Sequence, residues 1–539
     1  MTRLLHARVT RSAQARPDAT ALVGRSGTLT FGELESLANR FAQGLVESGC
    51  RPGDRVALLL PKEPATIAAM LGTLKAGCAY VPIDLASPAA RAARIVSTAD
   101  VRLVVVHPGA AALLDGIVAE GGIGEGATAA TTADAPVEGA SFRTAFDAGS
   151  LATLPDAAPA VDVTPADAAH ILFTSGSTGL PKGVLITHDN VAAFLDWALP
   201  VFGLASDDRL SSHPPLHFDL STFDVYGSLT AGAELHIVDP ALNLNPHGLA
   251  RFVGEAELTQ WFSVPSTMTF LTSADAVPEG GWPALRRVLF CGEVLPTPVL
   301  RHWMTRLPHA VFTNLYGPTE ATIASSWHTF SETPADDTEP IPIGVPCEGE
   351  ELVVLDETLA PVARGEIGDL YIAGVGLSPG YWRDEEKTDA AFVRDPADPE
   401  RRLYRTGDLA RLGDDGLLYF LGRVDSQIKS RGYRIELGEI ETALNALDAI
   451  RESAVVGCES DGFEGTQIGC AYALADETRA TPVDLRKQLV ETLPRYMLPT
   501  RWLELDALPK NANGKIDRPR LRELLSGTAS ATTTASGPG

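Results

Sequence analysis

The chain has 539 residues, of which 45% are hydrophobic and 21% are charged, and its formal net charge at pH 7 is −25. This length corresponds to about three to four domains of ~150 residues, and the negative charge argues against a nucleic-acid partner, which requires a basic surface. No apolar run approaches the ~20 residues that span a bilayer, and the six cysteines form no C-x-x-C pair, so we expect a cytoplasmic protein without membrane partner, zinc site or disulfides.

The first four-fifths of the chain alternates between helical and strand patterns. Leu34, Phe41 and Leu45 recur at helical spacing before Gly49, which predicts a helix over residues 30–49. Apolar runs bounded by turn residues predict buried strands in RVALLLP (55–61), VRLVVVHP (101–108), AELHIVDP (233–240) and RRVLFCGE (286–293). This alternation predicts an α/β fold of mostly parallel sheets covered by helices.

Three later segments depart from this pattern. Residues 109–160 are rich in Ala and Gly and poor in aromatic residues, which predicts a variable surface excursion. After residue 425 a smaller α+β unit is expected, with a helix from about Leu437 and strands in SAVVGC (453–458) and GCAYALA (469–475). The tail is of low complexity and is expected to be disordered. We therefore divide the chain into a core (1–424), a C-terminal domain (425–525) and a tail (526–539).

The segment ILFTSGSTGLPKG (171–183) is typical of a phosphate-binding loop, because small residues let backbone N–H groups converge on an anion and hydroxyl groups add donors. It does not satisfy the P-loop pattern G-x-x-x-x-G-K-[ST]: Pro181 precedes Lys182, and Gly183 follows it. Taken alone, the segment indicates either another kind of phosphate loop or a surface turn.

Eight further segments accompany this loop in fixed order. They are LKAGCAYVPID (74–84), FDLS (218–221), NLYGPTE (314–320), GDLYIAGVGLSPGYW (368–382), YRTGDL (404–409), GRVDSQIKSRGYRIELGEIE (422–441), LPRYMLP (493–499) and NGKIDR (513–518). From about Thr28 to Arg518, the chain resembles the adenylate-forming superfamily, and specifically the amino-acid adenylation domains of nonribosomal peptide synthesis. The resemblance implies a large N-terminal domain of helix-covered sheets with a small barrel, and a smaller, mobile α+β C-terminal domain.

The resemblance also implies a reaction: a carboxylate is joined to the α-phosphate of ATP, pyrophosphate leaves, and the acyl group passes to a thiol. ATP and Mg²⁺ are the implied cofactors. Phosphate contacts are expected from Thr174, Ser175, Gly176, Ser177, Thr178, Gly179 and Lys182, and further nucleotide contacts from Asn314, Gly317, Thr319 and Arg423.

Five residues receive individual roles from the resemblance. Glu320 is expected to hold Mg²⁺, Tyr316 to stack on adenine, and Asp408 to accept the ribose hydroxyls. Lys515 is expected to bridge the substrate carboxylate and the α-phosphate, and it joins Thr174 and Lys182 as a catalytic residue. Asp425 is the expected hinge. Taken alone, Glu320 is also typical of a helix cap, Asp408 of a turn, and Lys515 of a solvated surface lysine.

Asp219 of FDLS matches the acidic residue that pairs with the substrate's ammonium group in amino-acid-activating members. A buried carboxylate needs a cation, which favours an amino acid as the substrate. The other residues expected around the substrate are Phe218, Leu220, Phe223, Ser263, Leu289, Cys291, Gly292, Leu315, Ile323 and Ala324. This mostly apolar wall predicts a small aliphatic side chain, although Leu289 and Ile323 also fit as plain core residues.

The segments from 217 to 240 and from 257 to 268 look most like stand-alone adenylation enzymes that load β-amino acid starters for macrolactam polyketides. With Leu220 shortening the pocket, a short β-amino acid such as 3-aminobutanoate is expected. A small α-amino acid such as alanine or cysteine stays open. Since no phosphopantetheine-serine segment follows residue 518, the acceptor is expected to be a separate carrier protein. Alternatives are a coenzyme A ligase and a binding protein without chemistry, and the role of His217 is left open.

Overall fold

A computed structural model describes residues 2–124, 128–131, 143–176, 180–425, 427–458, 466–475, 478–511 and 516–527. Two mostly parallel sheets are formed by strands between residues 20 and 346, with Gly380–Tyr381 added to the second sheet. The first contains, in spatial order, Val345–Pro346, Ser326–Thr329, Val311–Tyr316, Arg287–Cys291, Gln260–Ser263, Arg209–Ser212, Glu234–Ile237, Thr20–Gly24 and Gly27–Thr30. The second contains Gly380–Tyr381, Lys182–Thr187, Ala168–Thr174, Ala79–Pro82, Arg55–Leu59, Leu103–Val106, Thr128–Thr131 and Arg143–Thr144.

Three smaller sheets follow. An antiparallel half-barrel contains Glu350–Leu355, Gly368–Gly374, Arg402–Leu412 and Phe392–Arg394, with Leu418–Arg423 also paired to Arg402–Leu412. A hairpin pairs Gln427–Ser430 with Tyr433–Glu436, and the last sheet contains Ile450–Cys458, Gln467–Leu474 and Arg501–Glu504. This arrangement confirms the predicted fold class, a helix-covered α/β core with a small barrel-like sheet and a small α+β C-terminal domain.

The helices cover both large sheets and the last sheet. The α-helices are Leu5–Ala15, Phe31–Glu47, Pro64–Lys75, Ala89–Ala99, Ala111–Ala119, Ala148–Thr153, His188–Phe202, Leu220–Thr222, Ser228–Ala231, Pro246–Glu255, Pro265–Ser273, Thr297–Arg306, Glu385–Ala391, Leu437–Asn445, Pro482–Leu489 and Arg518–Leu525. Short 3₁₀ turns occupy Pro108–Ala110, Pro240–Leu244, Thr319–Ala321 and Arg495–Met497, and a π-helical turn occupies Phe223–Gly227. None of the helices in the described ranges combines the length and apolarity needed to cross a bilayer.

The predicted helix over 30–49 is confirmed as Phe31–Glu47. It begins there because the Thr30 side chain accepts from the Glu33 N–H while the Glu33 carboxylate accepts from the Thr30 N–H, a capping box. It ends at Glu47, and Gly49, two residues further on, has a left-handed φ of +85° that favours glycine. The four predicted strands are also confirmed, and their apolar side chains are buried in the core.

The prediction of a surface excursion over 109–160 is wrong for helix Ala111–Ala119 and strand Thr128–Thr131, whereas residues 155–160 are mostly exposed and outside helices and strands, as expected. Strand Thr128–Thr131 pairs in parallel with Leu103–Val106 and so extends the second sheet. Helix Ala111–Ala119 packs against Ala89–Ala99, where a Cβ on Gly116 would stand 2.6 Å from the Ala89 Cβ. Small residues allow these two helices to approach closely. In this part of the segment, the Ala- and Gly-rich composition therefore reflects tight packing.

The C-terminal elements follow the predictions, with a helix at Leu437–Asn445 and the two expected strands within Ile450–Cys458 and Gln467–Leu474. This part of the chain contacts the core through a buried ion pair between Arg91 and Glu439. Asp425 lies between strand Leu418–Arg423 and the hairpin. The boundary and the hinge at this position stay predictions, and residues 528–539 of the predicted tail lie outside the described residues.

The parallel strands place their carboxyl ends at one edge of the core. Gly292, Gly317 and Val264 come directly after strands Arg287–Cys291, Val311–Tyr316 and Gln260–Ser263, and all three line the same cavity. Ligands of open α/β sheets bind at this edge.

Candidate active site

A cavity of about 100 Å³, here called the central cavity, lies at this edge and is closed by the hairpin 427–436. Eleven of the residues selected from the sequence line it: Thr174, Ser175, Phe218, Asp219, Leu220, Gly292, Tyr316, Gly317, Thr319, Asp408 and Arg423. The remaining wall includes Lys429, Gly432, Tyr433 and Arg434 of the hairpin. The structure therefore brings the nucleotide motifs and the substrate motif FDLS to one place.

The phosphate-loop candidate leaves strand Ala168–Thr174 at the cavity. The Thr174 hydroxyl is buried without a hydrogen-bond partner among the described residues, and it faces a cavity that can hold an acceptor. The Ser175 hydroxyl donates to the Arg434 carbonyl at 2.7 Å and accepts from the Glu436 N–H at 3.1 Å. Ser177, Thr178 and Gly179 lie outside the described residues.

Glycine is required at position 176 for a steric reason. A Cβ on Gly176 would lie 2.0 Å from the Leu180 carbonyl oxygen, so any side chain would force the loop to open. Gly317 is constrained in the same way, because its Cβ would lie 2.6 Å from the Ala324 Cα. At both positions the close approach of another backbone segment of the chain therefore requires glycine.

Glu320 lies behind the cavity in a cluster of cations and hydroxyls. Its carboxylate is fully buried, accepts from Arg434 at 2.6 Å and from the Tyr381 hydroxyl at 2.8 Å, and pairs with Lys182 at 3.1 Å. Burial acts to raise the pKa of Glu320, but Arg434 and Lys182 outweigh it and hold that pKa well below the usual range. Burial lowers the pKa of Lys182, although Glu320 opposes this. The cluster therefore keeps an ionised carboxylate at the core of the site.

The residues Tyr316, Asp408 and Arg423 form one hydrogen-bonded group on the cavity wall. The Tyr316 hydroxyl and the Arg423 guanidinium both donate to the Asp408 carboxylate. Arg423 also donates to both carboxylate oxygens of Asp425, at 2.7 and 2.6 Å. One guanidinium therefore links Asp408 to the predicted hinge residue.

Asp219 presents its carboxylate to the same cavity. The Thr319 hydroxyl donates to it at 2.8 Å, so a residue selected for nucleotide binding contacts the substrate motif. Burial raises the pKa of Asp219, and the Thr319 hydrogen bond only partly opposes this. A carboxylate that is costly to ionise in a cavity fits a cationic ligand.

Seven residues expected around the substrate do not line the central cavity. They are Phe223, Ser263, Leu289, Cys291, Leu315, Ile323 and Ala324, all buried in the core behind it. Leu315 lines a second, smaller cavity of about 60 Å³ together with Gly292, Asn314 and Tyr316. Asn314 donates its amide to the Pro342 carbonyl there at 2.8 Å. The Trp261 indole donates to Ser263 at 2.8 Å, which satisfies that buried hydroxyl.

The hairpin contributes site residues that the sequence reasoning did not select. Arg434 pairs with Glu320, the Gly432 N–H donates to Glu293 at 2.7 Å, and the Lys429 ammonium lies 5.7 Å from the Tyr316 ring centre. These residues belong to the segment IKSRGYRIE (428–436), from which no site residue was predicted, although it is part of a motif that supports the family resemblance. Its alternation of charged and apolar residues over 428–436 is the available signal, because it predicts a hairpin with one charged face.

No cluster of three or more metal-ligating side chains occurs within the described part of the chain. Of the carboxylates at the site, the resemblance assigns Glu320 to the metal, and magnesium needs only one or two carboxylates when phosphate oxygens and water complete its shell. The residues therefore fit a magnesium ion that arrives with a nucleotide. Lys515, the predicted catalytic lysine, lies outside the described residues.

Two regions of the chain match known families. The AMP-binding enzyme family matches residues 9–382, and the AMP-binding enzyme C-terminal domain matches residues 439–515. The matches and the fold define the class, an α/β nucleotide-binding enzyme with a separate C-terminal domain. The chain belongs to the AMP-binding enzyme family.

Individual proteins resemble the chain over nearly its whole length. It is 36% identical over 517 residues to the L-proline--[L-prolyl-carrier protein] ligase of Streptomyces coelicolor, covering 94% of this chain and 93% of that protein. It is 34% identical over 510 residues to tyrocidine synthase 2 of Brevibacillus parabrevis, covering 94% of this chain but only 13% of that protein. The Vibrio cholerae adenylation domain AlmE, solved with glycyl-adenosine-5'-phosphate, is 26% identical with a TM-score of 0.85, covering 98% of each chain.

Proposed function

We propose that the chain activates a small aliphatic amino acid with ATP and transfers the aminoacyl group to the phosphopantetheine thiol of a separate carrier protein. One observation carries the proposal: the Asp219 carboxylate faces the same cavity as Tyr316 and Asp408. Asp219 can bind a cation, and Tyr316 and Asp408 are the residues expected to bind a nucleotide. Their position in one cavity suits an amino acid that reacts with a nucleotide. The carrier-protein ligase and the glycyl-adenylate complex among the relatives support this reading.

In the proposed reaction, each polar group of the wall meets one part of the nucleotide. Tyr316 stacks on adenine and Asp408 accepts the ribose hydroxyls, while Arg423 orients Asp408. Thr174, Ser175 and Lys182 hold the phosphates. Glu320 holds the magnesium ion, which when bound neutralises charge on the departing pyrophosphate.

The hairpin occupies part of this site. Arg434 uses the carboxylate that the metal needs, and the Arg434 carbonyl uses the Ser175 hydroxyl that the phosphates need. The hairpin and a metal-bound triphosphate therefore exclude each other. A rotation about Asp425 is the simplest motion that withdraws the hairpin, because Asp425 lies two residues before its first strand.

The expected effect of replacing Lys515 follows from the proposed rotation of the C-terminal domain about Asp425. Lys515→Ala should abolish adenylate formation but leave transfer from a supplied aminoacyl-adenylate largely intact, because the lysine is needed only when charge develops on the α-phosphate. Lys510→Ala is the matched control, since Lys510 is a half-exposed neighbour. Separate assays of the two half-reactions check this, and an equal loss of both would contradict it.

The proposed substrate is a short β-amino acid such as 3-aminobutanoate. Leu220 lines the same cavity as Asp219. In this proposal its side chain shortens the space beyond the carboxylate. A small α-amino acid remains the second candidate, because one methylene changes binding by only about 1–3 kcal/mol.

Amino-acid-dependent exchange of pyrophosphate into ATP tests the substrate proposal. The panel contains α- and β-amino acids of graded length, as both stereoisomers. We expect the largest kcat/KM with a β-amino acid of about four carbons. A preference for alanine or cysteine would favour the second candidate, a small α-amino acid. The absence of pyrophosphate exchange with every amino acid would contradict the proposed function.

Leu220→Gly should admit longer chains, because it removes the side chain that ends the cavity beside Asp219. We expect kcat/KM for a six-carbon β-amino acid to rise about tenfold relative to the four-carbon one, the effect of one or two methylenes in an apolar pocket. Leu229→Gly is the control: Leu229 is fully buried in the same core but does not line the described cavity wall. An unchanged chain-length preference in Leu220→Gly would remove Leu220 from the pocket.

The acceptor is tested by offering the preformed aminoacyl-adenylate either free coenzyme A or a carrier protein with its phosphopantetheine arm. We expect transfer to the carrier protein at least about tenfold faster at equal concentration, because protein–protein contacts add to thiol binding. Equal or faster transfer to coenzyme A would favour the coenzyme A ligase alternative.

A further inference from the structure

A lysine outside the proposed machinery is bound to the strand end that leads into the central cavity. Lys62 follows strand Arg55–Leu59, and its ammonium donates to the carbonyl oxygens of Ser212, His213 and Pro214 at 2.6, 2.8 and 3.4 Å. An ammonium has three N–H donors, so one side chain satisfies three consecutive carbonyls. Buried carbonyls require such partners, and the Ser212 carbonyl also accepts from the Val238 N–H at 3.2 Å. Lys62 therefore joins the ends of two strands that belong to different sheets.

The chain from these carbonyls to Asp219 is short and constrained. Pro214 and Pro215 restrict its backbone, and the Phe218 N–H donates to the Pro215 carbonyl at 3.0 Å. Beyond it, the Ser221 hydroxyl donates to the Phe218 carbonyl at 2.6 Å. A displacement at the carbonyls is therefore transmitted to Asp219 and is not absorbed by a flexible loop.

The surroundings of Lys62 keep it cationic at neutral pH. It lines a cavity of about 510 Å³, here called the outer cavity, together with His213, His217 and Asp239. Burial lowers the pKa of Lys62 to about 8, while the nearby carboxylates of Asp224 and Asp239 oppose the shift. The ammonium, which provides all three donors, is thus the main form at pH 7.

We propose that Lys62 is a positioning residue, which fixes the Asp219 carboxylate by holding the carbonyls of Ser212, His213 and Pro214. The inference rests on the proposed function, in which Asp219 binds the ammonium group of the substrate. Lys62 acts from the outer cavity, through the segment 212–219, and it is not among the described residues that line the central cavity.

Two readouts on Lys62→Met test the inference. The first is the pair of KM values, for the amino acid and for ATP, in pyrophosphate exchange. We expect the KM for the amino acid to rise about tenfold or more, because a misplaced Asp219 carboxylate loses most of its contribution to amino-acid binding. The KM for ATP should stay within about twofold of the parent value. The second is backbone hydrogen exchange at residues 216–222, which we expect to accelerate at least about tenfold as the segment loosens.

Lys75→Met is the matched control. Lys75 is also a buried lysine, paired with Glu35 at 2.7 Å, and it lines neither the central nor the outer cavity, so its loss should lower stability without changing either readout. Unchanged hydrogen exchange at 216–222 in Lys62→Met, or equal changes in Lys75→Met, would overturn the inference. If the parent chain exchanges pyrophosphate with no amino acid, the proposed function fails, and the hydrogen-exchange comparison still decides whether Lys62 fixes the segment.

Discussion

Asp219→Asn is expected to lower kcat/KM for the amino acid by about 10²- to 10³-fold. The substrate's ammonium group would enter a largely dehydrated cavity without its anion, and an unpaired buried charge costs about 3–5 kcal/mol. The KM for ATP should change less, because Tyr316 and Asp408, the groups assigned to the base and the ribose, bond to each other, although Asp219 does contact Thr319, which is assigned to the nucleotide. Pyrophosphate exchange at varied amino acid and varied ATP measures both quantities.

Thermal unfolding provides the control for this variant. The pKa of Asp219 is raised by burial, so the folded state favours the protonated acid and pays for ionisation at neutral pH. Asn carries no such cost. The difference in melting temperature between Asp219→Asn and the parent chain should therefore shift in favour of the variant as pH rises from below 4 through the raised pKa of Asp219. A variant that is both less stable at pH 7 and equally impaired with every substrate would indicate a structural role.

Glu320→Gln has the second large expected effect, a loss of about 10²–10³ in adenylation rate, comparable with the removal of one preorganised charge at other active sites. Without the carboxylate, the buried cations Arg434 and Lys182 lose their common partner. We therefore also expect a loss of about 3–5 kcal/mol in stability. Single-turnover formation of the adenylate and chemical denaturation measure the two effects.

The pH dependence of stability distinguishes this ion cluster from general damage. The pKa of Glu320 is depressed, so its contribution to stability is present above the ordinary glutamate pKa and is lost as pH falls through the depressed value. Part of the parent chain's acid destabilisation below about pH 4.5 should be absent in Glu320→Gln. Glu35→Gln, which disturbs the Lys75 pair away from the site, should leave adenylation unchanged. Adenylation by Glu320→Gln at the parent rate would contradict the role of Glu320.

The sequence predicted the elements with a strong local pattern. The capped helix at Phe31–Glu47 and the strands around Val56, Val104 and Leu289 were found where periodicity indicated. Helix Ala111–Ala119 and strand Thr128–Thr131 were missed because an Ala- and Gly-rich composition fits both a loose surface segment and tightly packed elements. Only the partner element, here the helix Ala89–Ala99, distinguishes the two.

Residues of the candidate site could be selected from the sequence where they belong to a motif. Contacts between residues far apart in the chain could not be predicted. Asp219, Tyr316 and Asp408 were selected from motifs, and they line one cavity. The ion pair between Glu320 and Arg434 spans 114 positions, and no local pattern pairs those two residues. Burial of Leu289 was also predictable, but the strand pattern does not say which cavity, if any, its side chain reaches.

The central claim is that a carboxylate in the central cavity selects a cationic substrate. Pyrophosphate exchange by the parent chain with 3-aminobutanoate and with butanoate, at equal concentrations, tests it most directly, because the two acids differ only in the amino group. The account predicts exchange with 3-aminobutanoate at least about a hundredfold above that with butanoate, the difference that one buried ion pair provides. Equal or greater exchange with butanoate would contradict it.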